Sequence, residues 1–564
     1  MEKVISKEDE LKKISTGVKN LDLILNGGIP EYSVNIITGP PGSGKTILAQ
    51  QMVFKNADDE HKVLYLTTLS EPAVKLIRYQ RQFSFFDLSE VNTTVMYIDI
   101  GGIIRDEGLD KTIEVIINYV KKYSASIVVI DSFKAIHDLA KSILEVRKFG
   151  YDLAVNLATW ECTSFLVGEY TEEEIKNEPI FAITDGIIHL TNDLQAMQRA
   201  RYLDVRKMRG GDVFGGKHSF SISSEGIEVY PRIKTPRYPD EYTMSTERVA
   251  TGIKGIDRMF EGGVPGGTST LIAGGAGTGK TLIGMHFICH GTTLQEPGLI
   301  VTFQENPSQL RHIAKGFGWD FKKMEKQGML RLLYTSPVEL EVDENASRIK
   351  DLVAEIGARR VLIDSLMDLE TATPNKVRYK DYIYSVVNWF KSKGITTFMT
   401  NEIPELFGPV SLTSYGVSFI ADNVIMLRYV EIQAEIRRAI SVLKARGSNH
   451  EKALYEFAID SNGINVMDPF KKEYSGVLLG TPTLMKMSVS SRLLDNLPAE
   501  GYDLIDVLAN LPEATTDTLC GSVHLSIPEA KKILEKLVRS GHVLRYDKED
   551  KTYYKISYKV TGSS

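Results

Sequence analysis

The chain has 564 residues, of which 43% are apolar and 25% charged, with a formal net charge of -6. That balance excludes wholesale disorder and a fibrous repeat, the length calls for roughly two to four domains, and the mild acidity excludes a basic surface spread over the whole molecule. No uninterrupted apolar run reaches the length of a membrane span, the first residues are charged, and Cys162, Cys289 and Cys520 form no CxxC pair, so a reducing cytoplasm and no membrane are expected.

The first strong signal in chain order is SVNIITG running into GPPGSGKT at 39–46, a predicted strand, a glycine-rich turn and a helix start. KVLYLTT, ASIVVIDS, TSFLVGE and GIIHL follow, apolar runs of strand length separated by helical patterns, which predicts a parallel sheet covered by helices. ARYLDVRKMRG and SFSISSEGIEVY then read as hairpin strands that extend the sheet. YPRIKTPRYPDEYTMSTE, with three prolines, reads as a semi-rigid connector.

The plan then starts again. TGVKNLDLILNGGIP at 16–30 returns as TGIKGIDRMFEGGVP at 251–265 with seven of fifteen positions identical, and the offset of 235 residues recurs at the second glycine-rich turn, GGAGTGKT at 274–281. Such self-similarity marks tandem copies of one unit. The second copy carries its own strands, STLIAGG, GLIVTF, RRVLIDS, TTFMTNE and NVIMLRY, and its own tail, RRAISVLKARG to YEFAIDSNGINV. After about residue 485, DLIDVLANL, TTDTLCGSVHLS and IPEAKKILEKLVRSG precede HVLRYDKEDKTYYKI, three short helices and a hairpin in the manner of a winged helix. The expected domains are residues 1–240, 241–484 and 485–564.

GxxxxGK[ST] after a strand is a phosphate cradle, because glycines let backbone N–H groups face oxyanions and the helix N-terminus adds positive potential. Gly39, Pro40, Pro41, Gly42, Ser43, Gly44, Lys45 and Thr46 form one cradle, and Gly274, Gly275, Ala276, Gly277, Thr278, Gly279, Lys280 and Thr281 the other. Lys45 and Lys280 are expected on the terminal phosphates of ATP, and the hydroxyls of Thr46 and Thr281 on Mg2+ together with Asp131 and Asp364, which end VVID and VLID. Glu71 in TTLSEP and Glu305 in TFQENP are candidates to orient the attacking water. Lys207 and Arg209, and again Lys444 and Arg446, are spaced to share one strand face and are candidates to neutralise the transferred phosphate. His286, Cys289 and His290 share a helical face and read as helix packing rather than a metal site.

Over roughly residues 10 to 480 these features resemble the KaiC family of RecA-type ATPases, most specifically through GFGWDF, NEIPELFGP, ADNVIMLRYVEI and KARGSNH. The resemblance implies two RecA-like domains in an α/β fold, a double-ringed homo-hexamer, and ATP at subunit interfaces, where Lys207, Arg209, Lys444 and Arg446 act on the neighbouring subunit's phosphate. Two departures stand out. Clock members of the family carry paired glutamates where this chain has Ser70-Glu71 and Gln304-Glu305, and a phosphorylated Ser-Thr pair where it has Ser418-Phe419. A two-site phosphorylation cycle is therefore not expected, although Ser418 or Thr413 offers a hydroxyl.

Residues 498–560 hold nine Lys plus Arg against ten Asp plus Glu, so the C-terminal segment is read as a protein contact or a structural cap in preference to a DNA-binding unit, for which the charge gives weak support. The sequence thus predicts a regulatory ATPase ring. The rival readings are a DNA-acting ATPase or recombination accessory, an autokinase, and a nucleotide-binding module with little turnover.

Overall fold

The computed structural model describes residues 11–68, 72–195, 198–232, 247–373, 375–403, 420–432 and 435–470, and in the C-terminal segment 504, 507–508, 513–523, 525–539, 543–548 and 551–556. Glu71, Thr413, Ser418 and Phe419 lie outside them. So does the expected boundary at 240.

The first sheet consists of β1 (Val34–Thr38), β2 (Lys62–Thr67), β3 (Val95–Asp99), β4 (Ala125–Asp131), β5 (Thr163–Gly168), β6 (Gly186–Gln195), β7 (Gln198–Met208), β8 (Lys217–Ser223) and β9 (Gly226–Tyr230). Its order is β9-β8-β7-β6-β1-β5-β4-β2-β3. The six strands from β6 to β3 pair parallel, and β7, β8 and β9 add on as antiparallel neighbours. The second sheet consists of β10 (Ser269–Gly274), β11 (Gly298–Thr302), β12 (Leu330–Tyr334), β13 (Arg360–Asp364), β14 (Thr396–Glu402), β15 (Asn423–Ile432), β16 (Glu435–Ala445), β17 (Tyr455–Asp460) and β18 (Gly463–Pro469). It repeats the order strand for strand, β18-β17-β16-β15-β10-β14-β13-β11-β12. The fold is α/β, with two tandem RecA-like units, as expected.

Alternate residues of each central strand enter different cores. Val63, Tyr65, Ile127 and Val129 pack on one face, and Leu64, Leu66, Val128 and Ile130 on the other. A strand buried on both faces needs a continuous apolar run, which is why these segments read so plainly. The parallel edge strands β3 and β12 escaped the sequence reading because only Val95 in β3, and only Leu330 and Leu333 in β12, are buried.

The two halves meet through polar side chains. The helix Val342–Ile356 starts against β8, where Ser219 Oγ donates to Glu341 Oε2 at 2.7 Å. Arg378 donates to the Tyr202 hydroxyl at 2.6 Å, and to Glu341 and Asp343 at 2.7 Å each. Burial and the neighbouring Glu341 push the Asp343 carboxyl up to about 6, the direction expected when a second acid enters a crowded site despite the Arg378 charge. A cleft of about 940 Å³ opens beside this cluster, away from both glycine-rich turns.

Residues 479–564 form a separate compact unit. Its described part has helices Thr516–Val523 and Ile527–Arg539, then a hairpin of Val543–Lys548 and Lys551–Ile556 whose second strand also pairs with Ala514–Thr515. Leu504, Leu508, Leu519, Leu534, Leu537, Val543 and Tyr554 make its core. Among the described residues no helix is long and apolar enough to cross a membrane.

Candidate functional site

Both glycine-rich turns stand where the central strand of their sheet gives way to a helix, β1 to Lys45–Asn56 and β10 to Lys280–Thr293. The residues before these helices, Gly44 and Gly279, have φ of 98° and 103°. The backbone conformation there favours glycine, and a Cβ would also crowd the side-chain tips of Ile222 at 3.0 Å or Ile459 at 2.9 Å.

In each half the last cradle residue meets the acid at the strand end. Thr46 Oγ1 donates to Asp131 Oδ2 at 2.9 Å, and Thr281 Oγ1 to Asp364 Oδ2 at 2.8 Å. Each aspartate ends a strand two places from the cradle strand and is followed by a cis peptide. Partners that the sequence reading missed hold them: the Tyr65 hydroxyl donates to Asp131 at 2.8 Å, and the Thr400 hydroxyl donates to Asp364. Burial pushes the Asp364 carboxyl up, and the Thr400 and Thr281 hydroxyls oppose that rise.

Lys45 and Lys280 are buried, with ammonium groups donating to Pro40 O at 2.9 Å and Gly275 O at 2.8 Å. Burial pushes both lysines down, and a carboxylate at the end of the adjacent strand opposes it, Glu169 at 3.4 Å and Glu402 at 3.7 Å. These glutamates were missed too, although the words TSFLVGE and TTFMTNE contain them. A carboxylate at the tip of the strand beside each P-loop strand is the signal that could have found them.

The first cradle opens on a cavity of about 520 Å³, lined among others by Lys45, Thr46, Tyr65, Thr67, Asp131 and Glu169. Thr67 Oγ1 and, within the cradle, Ser43 Oγ are buried with no hydrogen-bond partner among the described residues. Such hydroxyls suit a polar ligand, and a hydroxyl and a carboxylate within hydrogen-bond distance form an oxygen-only donor set that suits a hard cation.

Glu305 follows β11, half-buried, with its backbone carbonyl accepting from Thr302 Oγ1 at 3.0 Å. Burial, then Asp364 and Asp368, push its carboxyl up. The matching backbone hydrogen bonds, Thr68 N to Asp131 O at 3.2 Å and Phe303 N to Asp364 O at 3.1 Å, set Thr68 opposite Phe303. Continued by residue number alone, that alignment matches Ser70 to Glu305 and leaves Glu71 one position later, with Ser70 and Glu71 both outside the described residues.

The four cations stand elsewhere. Lys207 and Arg209 lie at the end of β7 that pairs with the start of β6, beside the start of β1, whereas the cradle follows the end of β1. Lys207 donates to the carbonyls of Phe181 and Ala182 at 3.2 and 3.0 Å, and Arg209 pairs with Asp185 at 3.1 Å. The second half repeats the placement, with Lys444 on Ala421 O at 2.6 Å and Arg446 at 3.9 Å from Asp422. The arginines fall just past the strand ends, level with Val34 and Ser269, and at about 3.3 Å of rise per residue the five steps from there to Gly39 or Gly274 set them roughly 16 Å along the strand from their own cradle, while Lys207 and Lys444, level with Ile36 and Leu271, stand about 10 Å short of it.

His286 accepts from Ile464 N at 3.2 Å and packs edge-on against Trp319, and Cys289 is buried in the apolar core. Among the described residues no three such ligands gather to hold a metal.

A family model described as the KaiC ATPase matches residues 14–234 and 249–471. The circadian clock protein KaiC3 of Synechocystis is 31% identical over 498 residues, covering 86% of this chain and 97% of the relative. The circadian clock oscillator protein KaiC of a Picosynechococcus strain is 29% identical over 496 residues, covering 86% and 95%. With the duplicated cradle, the paired strand-end acids and a match over most of its length, the chain belongs to the KaiC family of ATPases.

Proposed function

We propose that the chain works in the cytoplasm as a Mg-dependent, ATP-hydrolysing homo-hexamer, each nucleotide lying between two copies, and that it serves as a regulatory scaffold rather than acting on a small-molecule substrate. The observation that carries this reading is the roughly 16 Å along the strand between Arg209 or Arg446 and the cradle of the same half, with Lys207 and Lys444 on the same side of that gap, which makes a second copy the natural recipient of each finger. In a head-to-tail ring one copy's finger meets the next copy's phosphate.

Within each site Lys45 or Lys280 would neutralise the terminal phosphates, while Thr46 with Asp131, and Thr281 with Asp364, would hold Mg2+. The ion, when bound, supplies charge neutralisation to the phosphate oxygens. Glu305 would orient the attacking water, and its raised basicity suits that work. The first half has Ser70 at the matching place, so we assign most turnover to the second half and assembly to the first.

Light scattering on the full chain with ATP and Mg2+ should give the mass of six copies, and a monomer at saturating ATP would sink the interface mechanism. The C-terminal unit fits a protein contact better than DNA, because Glu529 and Glu535 interrupt Lys531, Lys532, Lys536 and Arg539 on the exposed face of its second helix. The autokinase reading rests on Ser418 and Thr413, outside the described residues, and gains no support.

A further inference from the structure

The turn that carries Glu305 is fastened at a point with no counterpart among the described residues of the first half. Gln304 Nε2 donates to Asp368 Oδ1 at 2.7 Å, and Ser365 Oγ donates to Asp368 Oδ2 at 2.5 Å. Asp368 sits in the first turn of the helix Leu366–Ala372, four residues past Asp364. Its carboxylate is therefore shared between the neighbour of Glu305 and the neighbour of Asp364. Other bonds hold the same turn: Phe303 N to Asp364 O at 3.1 Å, Thr302 Oγ1 to Glu305 O at 3.0 Å, and Asn306, which caps the helix Pro307–Gly316.

In the first half the position matching Asp368 is Ala135, and the adjacent Lys134 is drawn to Glu174 at 2.6 Å. An alanine offers the preceding turn no hydrogen bond. Among the described residues the clamp is found in the second half.

We propose that Asp368 is a positioning residue of the second site, which holds the Glu305 turn against the end of the Asp364 strand through Gln304 and Ser365. This rests on Glu305 being the group that orients water. A hydrogen bond to a charged acceptor is worth about 1.5–3 kcal/mol, and small misplacement of a reacting group is costly in rate, so the clamp is strong enough to matter. Because Asp368 acts through another residue, it governs kcat rather than ATP affinity.

The test is steady-state phosphate release by the full-length chain, with melting temperature recorded on the same samples. Asp368→Ala and Gln304→Ala should each lower kcat by about tenfold with KM little changed, and the double variant should be no worse than the poorer single one. Asp368→Asn, whose amide can still accept from Gln304 and donate to Ser365, should keep most of the rate. An unchanged kcat in Asp368→Ala overturns the proposal, as does a double variant in which the losses multiply. If Asp368→Ala does not fold, Asp368→Asn and Gln304→Ala decide, and loss of rate in the first with none in the second overturns it. Glu305→Gln run alongside separates the two failures: a fully active Glu305→Gln removes the underlying assignment, whereas an inactive one beside an active Asp368→Ala removes only the clamp.

Discussion

Glu305→Gln lowers phosphate release by the full chain by about a hundredfold or more, the size expected when a positioned base is lost, whereas Glu71→Gln leaves most of it. The asymmetry follows from register. Continued by residue number from the hydrogen bonds that tie Thr68 to Asp131 and Phe303 to Asp364, the alignment matches Glu305 to Ser70, whose hydroxyl is no base at neutral pH. Environment points the same way. Burial, Asp364 and Asp368 raise the affinity of Glu305 for a proton, which makes a better base, and its working form is lost as pH falls through that raised value. The acid limb of release should therefore lie above the ordinary carboxylate range of about 4.3. Equal losses from the two substitutions would make the layers redundant engines, and no loss from Glu305→Gln would return the chain to a binding module with little turnover.

What could be read from the sequence was what short spacing enforces. A cradle needs eight consecutive residues of fixed type, and a strand buried on both faces needs an unbroken apolar run, so GPPGSGKT, GGAGTGKT, VVID and VLID were legible without coordinates. Partners set by strand order were harder. Tyr65 reaches Asp131 because β2 lies next to β4, and Glu402 reaches Lys280 because β14 lies next to β10, adjacencies that join residues 66 and 122 positions apart. Nothing in a linear pattern states such neighbours. Glu71 was singled out beside Glu305 because both follow a strand, yet the residue-number alignment differs by one and matches Glu305 to Ser70 instead. Asp368 was invisible for a related reason, since an acid in the first turn of a helix is ordinarily read as favourable to the helix dipole.

Arg446→Ala and Lys280→Ala should each abolish the release that depends on the second layer, and mixing the two inactive chains should restore part of it. A finger contributes a thousandfold or more in comparable sites, so each single loss is nearly complete. Recovery is the informative outcome. In a head-to-tail ring a site takes its cradle from one copy and its finger from the next, so a ring of randomly mixed variants has about a quarter of its sites with both parts intact. The Arg446→Ala chain supplies Lys280, Thr281 and Asp364, and the Lys280→Ala chain supplies Lys444 and Arg446. No recovery after subunit exchange, with exchange verified by mass, would place both parts of each site in one chain. That arrangement would require Arg446 to leave Asp422 and cross the length of β10 to its own cradle, a displacement the packed sheet opposes because Asp422 is itself held by Ser269 N at 3.0 Å and Lys391 at 2.8 Å. The intersubunit route asks for no such movement.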